Sequence, residues 1–120
     1  MKKLLFLLLA VTTFISCEKE PITPDYSIEG KWLWSFTENR ADANTMYEFV
    51  DGFRYTYYSL DGNFDSLDST DRIPGSETYT FDGDSLVIDG VGFKVTFECD
   101  GGKVLFSNGT KLWKLTSNCQ

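Results

Sequence analysis

Glycine-containing turn pairs constrain this chain more than any other feature. Asp51-Gly52, Asp82-Gly83, Asp89-Gly90, Asp100-Gly101-Gly102 and Asn108-Gly109 recur along it. Asp-Gly and Asn-Gly reach the positive φ angles that tight hairpins need, so each is a turn signal with a physical cause. From Thr78 onward the turns leave room only for short strands: Thr78–Phe81, Ser85–Asp89, Phe93–Cys99, Lys103–Ser107 and Thr110–Thr116. In the clearest of these, Phe93, Val95, Phe97 and Cys99 fall on one face and Lys94, Thr96 and Glu98 on the other. That period of two marks a half-buried strand.

The same alternation appears earlier in the chain. Ile28–Thr37 places Trp32, Trp34 and Phe36 on one side. Thr45–Val50 carries Tyr47 and Phe49 on one face, and Phe53–Ser59 carries Phe53, Tyr55 and Tyr57. Eight strands in all predict an all-β domain, an antiparallel meander closing into a small barrel, with a β-sandwich as the alternative. Eight strands suffice for closure, and closure removes exposed edges. On this reading the first strand pairs with the last, so that Trp113 and Leu115 meet Trp32 and Trp34. The Asn108-Gly109 hairpin is read as pairing Ser107 with Thr110.

The 120 residues allow one domain. Residues 1–16 read as a secretory leader: Lys2 and Lys3, then an apolar run from Leu4 to Val11 too short to span a bilayer. Phe14-Ile15-Ser16-Cys17 resembles the lipobox of bacterial lipoproteins. The resemblance implies cleavage before Cys17, acylation of that cysteine and anchoring in a membrane by several acyl chains. Glu18-Lys19-Glu20 is similar to acidic tags that direct some lipoproteins of Bacteroidetes to the cell surface; a solvated tether has the same composition. Pro21 and Pro24 stiffen residues 17–27, read as a flexible tether, and the barrel domain is expected at 28–120.

With the lipobox, three further stretches complete a resemblance to the lipocalin-like lipoproteins of Bacteroidetes. They are Gly30-Lys31-Trp32, the run from Tyr79 to Leu86, and Leu112-Trp113-Lys114-Leu115. It implies a lipid-anchored protein of the outer membrane, on its periplasmic or outer side, with a binding barrel. Full-length lipocalins set an arginine of the last strand on the opening tryptophan. Here no arginine follows Arg72, and only Lys111 and Lys114 are available.

Several chemistries find no support. The formal charge is −7, and −9 without the two leader lysines, which disfavours nucleic acid. The chain contains no histidine, the commonest general base and metal ligand. It shows no nucleophile elbow, phosphate loop or zinc spacing, so neither an enzyme nor a cofactor is expected. Asp61-Gly62-Asn63-Phe64-Asp65 opens like a calcium loop, but Ser66 and Arg72 stand where glycine and glutamate belong. No metal site is expected.

What remains is binding. Inward rings are expected at Trp32, Trp34, Phe36, Tyr47, Phe49, Phe53, Tyr55, Tyr57, Tyr79, Phe81, Phe93, Phe97, Phe106 and Trp113. They fill the core, or they line a pocket for a small apolar molecule or glycan, in which case Trp34, Tyr47, Tyr55, Tyr57 and Tyr79 are the candidate contacts. The long Leu60–Ser76 segment would be its lid. The alternative is a filled barrel that presents its loops to another envelope protein. Cys99 and Cys119 are expected at one end of the barrel as a disulfide. A monomer is expected.

Overall fold

The computed structural model describes residues 26–120. The leader, Cys17 and most of the tether lie outside the described residues. The eight strands are β1 (Gly30–Trp34), β2 (Thr45–Val50), β3 (Phe53–Tyr58), β4 (Glu77–Phe81), β5 (Ser85–Ile88), β6 (Val91–Glu98), β7 (Lys103–Phe106) and β8 (Lys111–Lys114). They form one closed antiparallel barrel in chain order. The closing seam pairs Trp32 with Lys114 and Leu33 with Trp113. The Leu115 N–H extends that seam by donating to the Lys31 carbonyl at 2.9 Å.

Turn chemistry sets the registers. Asp51 and Gly52 both have positive φ, 52° and 83°, as a two-residue hairpin turn requires, and the turn pairs Val50 with Phe53. The β7–β8 connection is one residue longer than expected. Phe106 N–H donates to the Thr110 carbonyl at 2.8 Å, and Val104 stands opposite Leu112. Ser107, Asn108 and Gly109 therefore make a three-residue loop with Gly109 at φ 93°.

That single residue changes which side of β8 faces inward, because side chains alternate with a period of two. Leu112 enters the core, and Trp113 lies on the outer face opposite Leu33 and Lys103. Trp113 is nevertheless 1% exposed, and the Lys103 ammonium stands 5.9 Å from its ring centre. The expected meeting of Trp113 with Trp32 does not occur; Lys114 takes that place, its Nζ 5.6 Å from the Trp32 ring centre.

β3 is turned over as well. Tyr55 stands opposite Glu48 and Tyr57 opposite Met46, both on the outer face of β2. Phe53, Tyr55 and Tyr57 thus face outward, and Arg54, Thr56 and Tyr58 share the inner side. Phe36 lies beyond the end of β1 and is exposed. The other expected inward rings do face the interior, with Ile28, Leu86, Ile88, Val95, Val104 and Leu112 packed among them.

One end of the barrel is plugged. Trp32 is fully buried there, and its indole N–H donates to the Ile28 carbonyl at 2.8 Å. Phe97 packs 6.4 Å from Trp32, 5.9 Å from Phe81 and 5.3 Å from Tyr26, centre to centre. The Cys99–Cys119 disulfide ties the carboxyl tail across this end, with Cα atoms 6.2 Å apart. Gly102 makes room for it: a Cβ there would collide with Ser117 Oγ and stand 2.8 Å from Cys119 Sγ.

A second apolar cluster lies outside the barrel. Leu33, Ala43, Met46, Tyr57 and Phe64 are buried together, with Tyr55, Leu67 and Leu115 against them. Phe64 and Leu67 belong to the long Leu60–Ser76 segment, which therefore packs on the outer face of β1–β3. Burial of Phe64 alone contributes roughly 1.5–3 kcal/mol. A polar clasp adds to it. Arg72 Nη2 donates to Glu48 Oε1 at 2.9 Å, and Arg72 Nε to the Tyr57 hydroxyl oxygen at 3.1 Å. The Tyr57 hydroxyl donates to the same Glu48 oxygen at 2.6 Å, and the Arg72 guanidinium lies 3.8 Å from the Tyr55 ring centre.

Two outcomes are expected. Replacing both disulfide cysteines, Cys99→Ser with Cys119→Ser, should lower the unfolding free energy by about 3 kcal/mol, read from urea denaturation, because the crosslink restricts the unfolded chain. The clasp should be acid-sensitive. Burial pushes the Glu48 carboxyl up, but hydrogen bonds from Tyr57 and Arg72 outweigh that and hold it below the usual carboxylate range. A depressed folded value stabilises fully above the ordinary glutamate pKa of about 4.3 and is lost as pH falls through the folded value. Glu48→Gln should cost about 1–2 kcal/mol at neutral pH and flatten the fall in stability below about pH 5, measured by urea midpoints across that range.

Candidate functional site

The end opposite the plug is open. Here β1, β3, β5 and β7 finish and β2, β4, β6 and β8 begin, so the short turns Asp89-Gly90 and Ser107–Gly109 form part of the rim. Inside the mouth lies a cavity of about 410 Å³, lined by residues of all eight strands and of these two turns. Its floor is apolar, made by Phe49, Ile88, Phe106 and Leu112. Trp34, Tyr47, Phe93 and Val91 form the walls above, and Glu77, Asp89, Asn108 and Thr110 bring polar groups to the lining.

Arg54 is the basic residue of this lining. Its place follows from the Asp51-Gly52 turn, which sets Arg54 opposite the inward Phe49. Its guanidinium carbon lies 4.4 Å from the Tyr47 ring centre. Nη2 pairs with Glu77 Oε2 at 2.8 Å, across the β3–β4 seam where these two residues are partners. The Arg54 Nε is shielded from solvent and has no acceptor. Burial pushes the Tyr47 hydroxyl above its ordinary pKa, against the opposing charge of Arg54, so the phenol stays protonated at neutral pH and can donate.

Of the five aromatic residues expected to contact a ligand, Trp34 and Tyr47 line this cavity. Tyr79 is buried edge-on against Phe49, ring centres 5.0 Å apart, deeper in the core. Tyr55 and Tyr57 stand on the other side of the wall, in the clasp. Cys99 and Cys119 are bonded at the plugged end, remote from the mouth. The Leu60–Ser76 segment braces the outside of β1–β3, so it is not a lid across the opening.

Its acidic residues serve its own backbone. Asp61 accepts from the Ser59 hydroxyl at 2.7 Å and from the Asn63 N–H at 3.0 Å. Asp68 and Asp71 form a reciprocal cap on the short 3-10 turn Ser69–Asp71. Among the described residues, no group of three or more cysteine, aspartate or glutamate side chains is arranged to hold a metal ion.

Sequence reasoning missed Arg54 and Glu77, although a signal for Arg54 was present. A two-residue turn at Asp51-Gly52 makes Phe49 and Arg54 cross-strand partners, and such partners share a face. An inward Phe49 therefore requires an inward Arg54 and an outward Phe53. Thr110 was hidden by the extra residue in the β7–β8 loop, which places it opposite Phe106.

Chemically, the mouth offers flat apolar walls, one guanidinium half-neutralised by a neighbouring carboxylate, and several rim hydrogen-bonding groups. No family model, no curated protein and no solved structure matches this chain.

Proposed function

We propose that this chain is a cell-envelope lipoprotein whose barrel binds a small molecule in its open mouth without transforming it. The observation that carries the reading is the cavity of about 410 Å³ at the barrel mouth, within the range of small-molecule sites. Eight strands leave an interior wide enough for one small ligand. Here the side chains fill the half around Trp32 and leave the half around Trp34 empty. The mixture of apolar floor and few polar wall groups is that of a site for a compact, largely apolar molecule or a sugar.

The anchor belongs to the same proposal. The leader and the Phe14-Ile15-Ser16-Cys17 sequence support acylation at Cys17 and attachment to the outer membrane. Tyr26 approaches the barrel at its plugged end, where its ring packs at a tilt against Phe97 and its hydroxyl donates to Asp100 at 3.0 Å. A tether arriving there leaves the mouth on the far side of the barrel, away from the point of attachment.

A second reading rests on the rim. Phe36, Tyr58, Leu60 and Val91 are 68%, 64%, 99% and 56% exposed around the mouth end. Such residues suit a protein partner seated over the opening, in the manner of an inhibitor or immunity-type complex.

Nile red, an uncharged apolar dye, should bind the folded protein saturably with a blue-shifted emission. Thr110→Trp, which fills the mouth, should abolish that binding while leaving the melting temperature within a few degrees. Absence of saturable binding to the unmodified protein would overturn the ligand reading and leave the partner reading. For the anchor, the protein expressed in a bacterial host should partition into a detergent phase, and Cys17→Ser should move it to the aqueous phase. Aqueous partition of the unmodified protein would refute the lipid anchor.

A further inference from the structure

We propose that the mouth cavity selects an uncharged ligand, a ring-shaped body bearing a hydroxyl or carbonyl oxygen that accepts a hydrogen bond from Arg54. The inference rests on the reading of this cavity as a binding site and specifies its ligand. Three observations carry it.

The first is an unspent donor. Arg54 lines the cavity, and its Nε is buried without an acceptor. Buried polar groups are paired in the great majority of folded proteins, and one left alone costs free energy. An acceptor seated in the cavity beside Arg54 would give this donor the partner it lacks.

The second is the charge already present. Glu77 holds Arg54 Nη2 at 2.8 Å, so the protein itself offsets part of the guanidinium charge. Asp89 adds a further negative charge to the lining. An incoming carboxylate would face Glu77 and Asp89 in a surface that is acidic overall. An incoming ammonium would find Glu77 already paired with Arg54 and Asp89 exposed to water, and would stand close to a guanidinium that cannot lose its proton. A neutral oxygen meets neither repulsion and satisfies the spare donor.

The third is the shape of the walls. Trp34 and Phe93 present aromatic surface above the apolar floor. Such surfaces favour a flat ring or the C–H face of a sugar ring over a flexible chain, which would lose more freedom on binding.

Three probes of one ring system separate the alternatives: naphthamide, naphthoate and naphthylmethylamine, which are neutral, anionic and cationic near neutral pH. Each is titrated into the isotope-labelled protein, following the side-chain N–H signals of Arg54 and Trp34 by nuclear magnetic resonance. The neutral amide should bind at least tenfold more tightly than either charged probe and shift the Arg54 Nε–H signal. Arg54→Lys, which keeps the charge and loses the Nε donor, should weaken the amide about tenfold. Glu77→Gln, which removes the neutralising charge, should strengthen naphthoate about tenfold, and it serves as the independent test if Arg54→Lys does not fold.

Tighter binding of naphthoate or the amine to the unmodified protein would overturn the proposal. So would an unmoved Arg54 signal or a Glu77→Gln variant indifferent to naphthoate. If all three probes fail while Nile red binds, the proposed selectivity falls and the binding site stands. If Nile red fails as well, both fall.

Discussion

Trp32 in the seam between β1 and β8 is the contact on which the rest of this barrel depends. Eight short strands have little pairing energy individually; β7 and β8 have four residues each. Without closure, β1 and β8 would both present unpaired backbone groups. The seam joins them through only two paired positions and one added backbone bond. Trp32 reinforces those few bonds by packing. It is fully buried, bonded to the Ile28 carbonyl, overlaid by Lys114 from the opposite strand and flanked by Phe97 from across the barrel. One side chain thus links the segment before β1 with β1, β6 and β8.

The plug makes the barrel asymmetric. Aromatic rings, the disulfide and the returning tail all gather around the Trp32 end, so stability is concentrated there. The mouth is relieved of that duty. Its lining includes Arg54 and Glu77, a pair that a tightly filled core would make costly to bury. Here Arg54 is only partly screened and Glu77 remains 44% exposed, so both keep contact with water. An incompletely packed half is tolerable because the other half and the outer cluster hold the strands in register.

The sequence disclosed the strand count, the closure and the disulfide. Each rested on a local signal with one physical meaning: an Asp-Gly turn, a period-two run, two cysteines brought to one end. Which face of each strand turns inward was less legible. Alternation separates two faces without naming the inner one. In β3 the aromatic face is outward because the Leu60–Ser76 segment supplies a second apolar cover, and nothing within Phe53–Tyr58 reports that cover. In β8, Leu112 and Trp113 are adjacent and both apolar, so only the length of the preceding loop decides between them. Asn-Gly suits a two-residue turn as well as the three-residue one adopted, and the difference exchanges the two faces. The cavity lining was half legible for the same reason: Trp34 and Tyr47 were expected there, while Arg54 and Thr110 depend on the registers of β3 and of the loop before β8.

The outward face of β3 bears on function. Tyr57 and Tyr55 hold Arg72, and with Glu48 they fasten the long segment to the barrel wall. A segment fastened there leaves the opening uncovered, with Leu60 exposed at the mouth end where the segment leaves the strand. The same strand sends Arg54 through the wall into the cavity. β3 therefore joins the outer brace to the inner site across one sheet thickness. Displacement of the clasp would be felt at Arg54 through the two residues that separate it from Tyr57, without crossing the core. The brace consequently does more than cover an apolar patch: it holds the strand that carries the basic residue of the cavity lining.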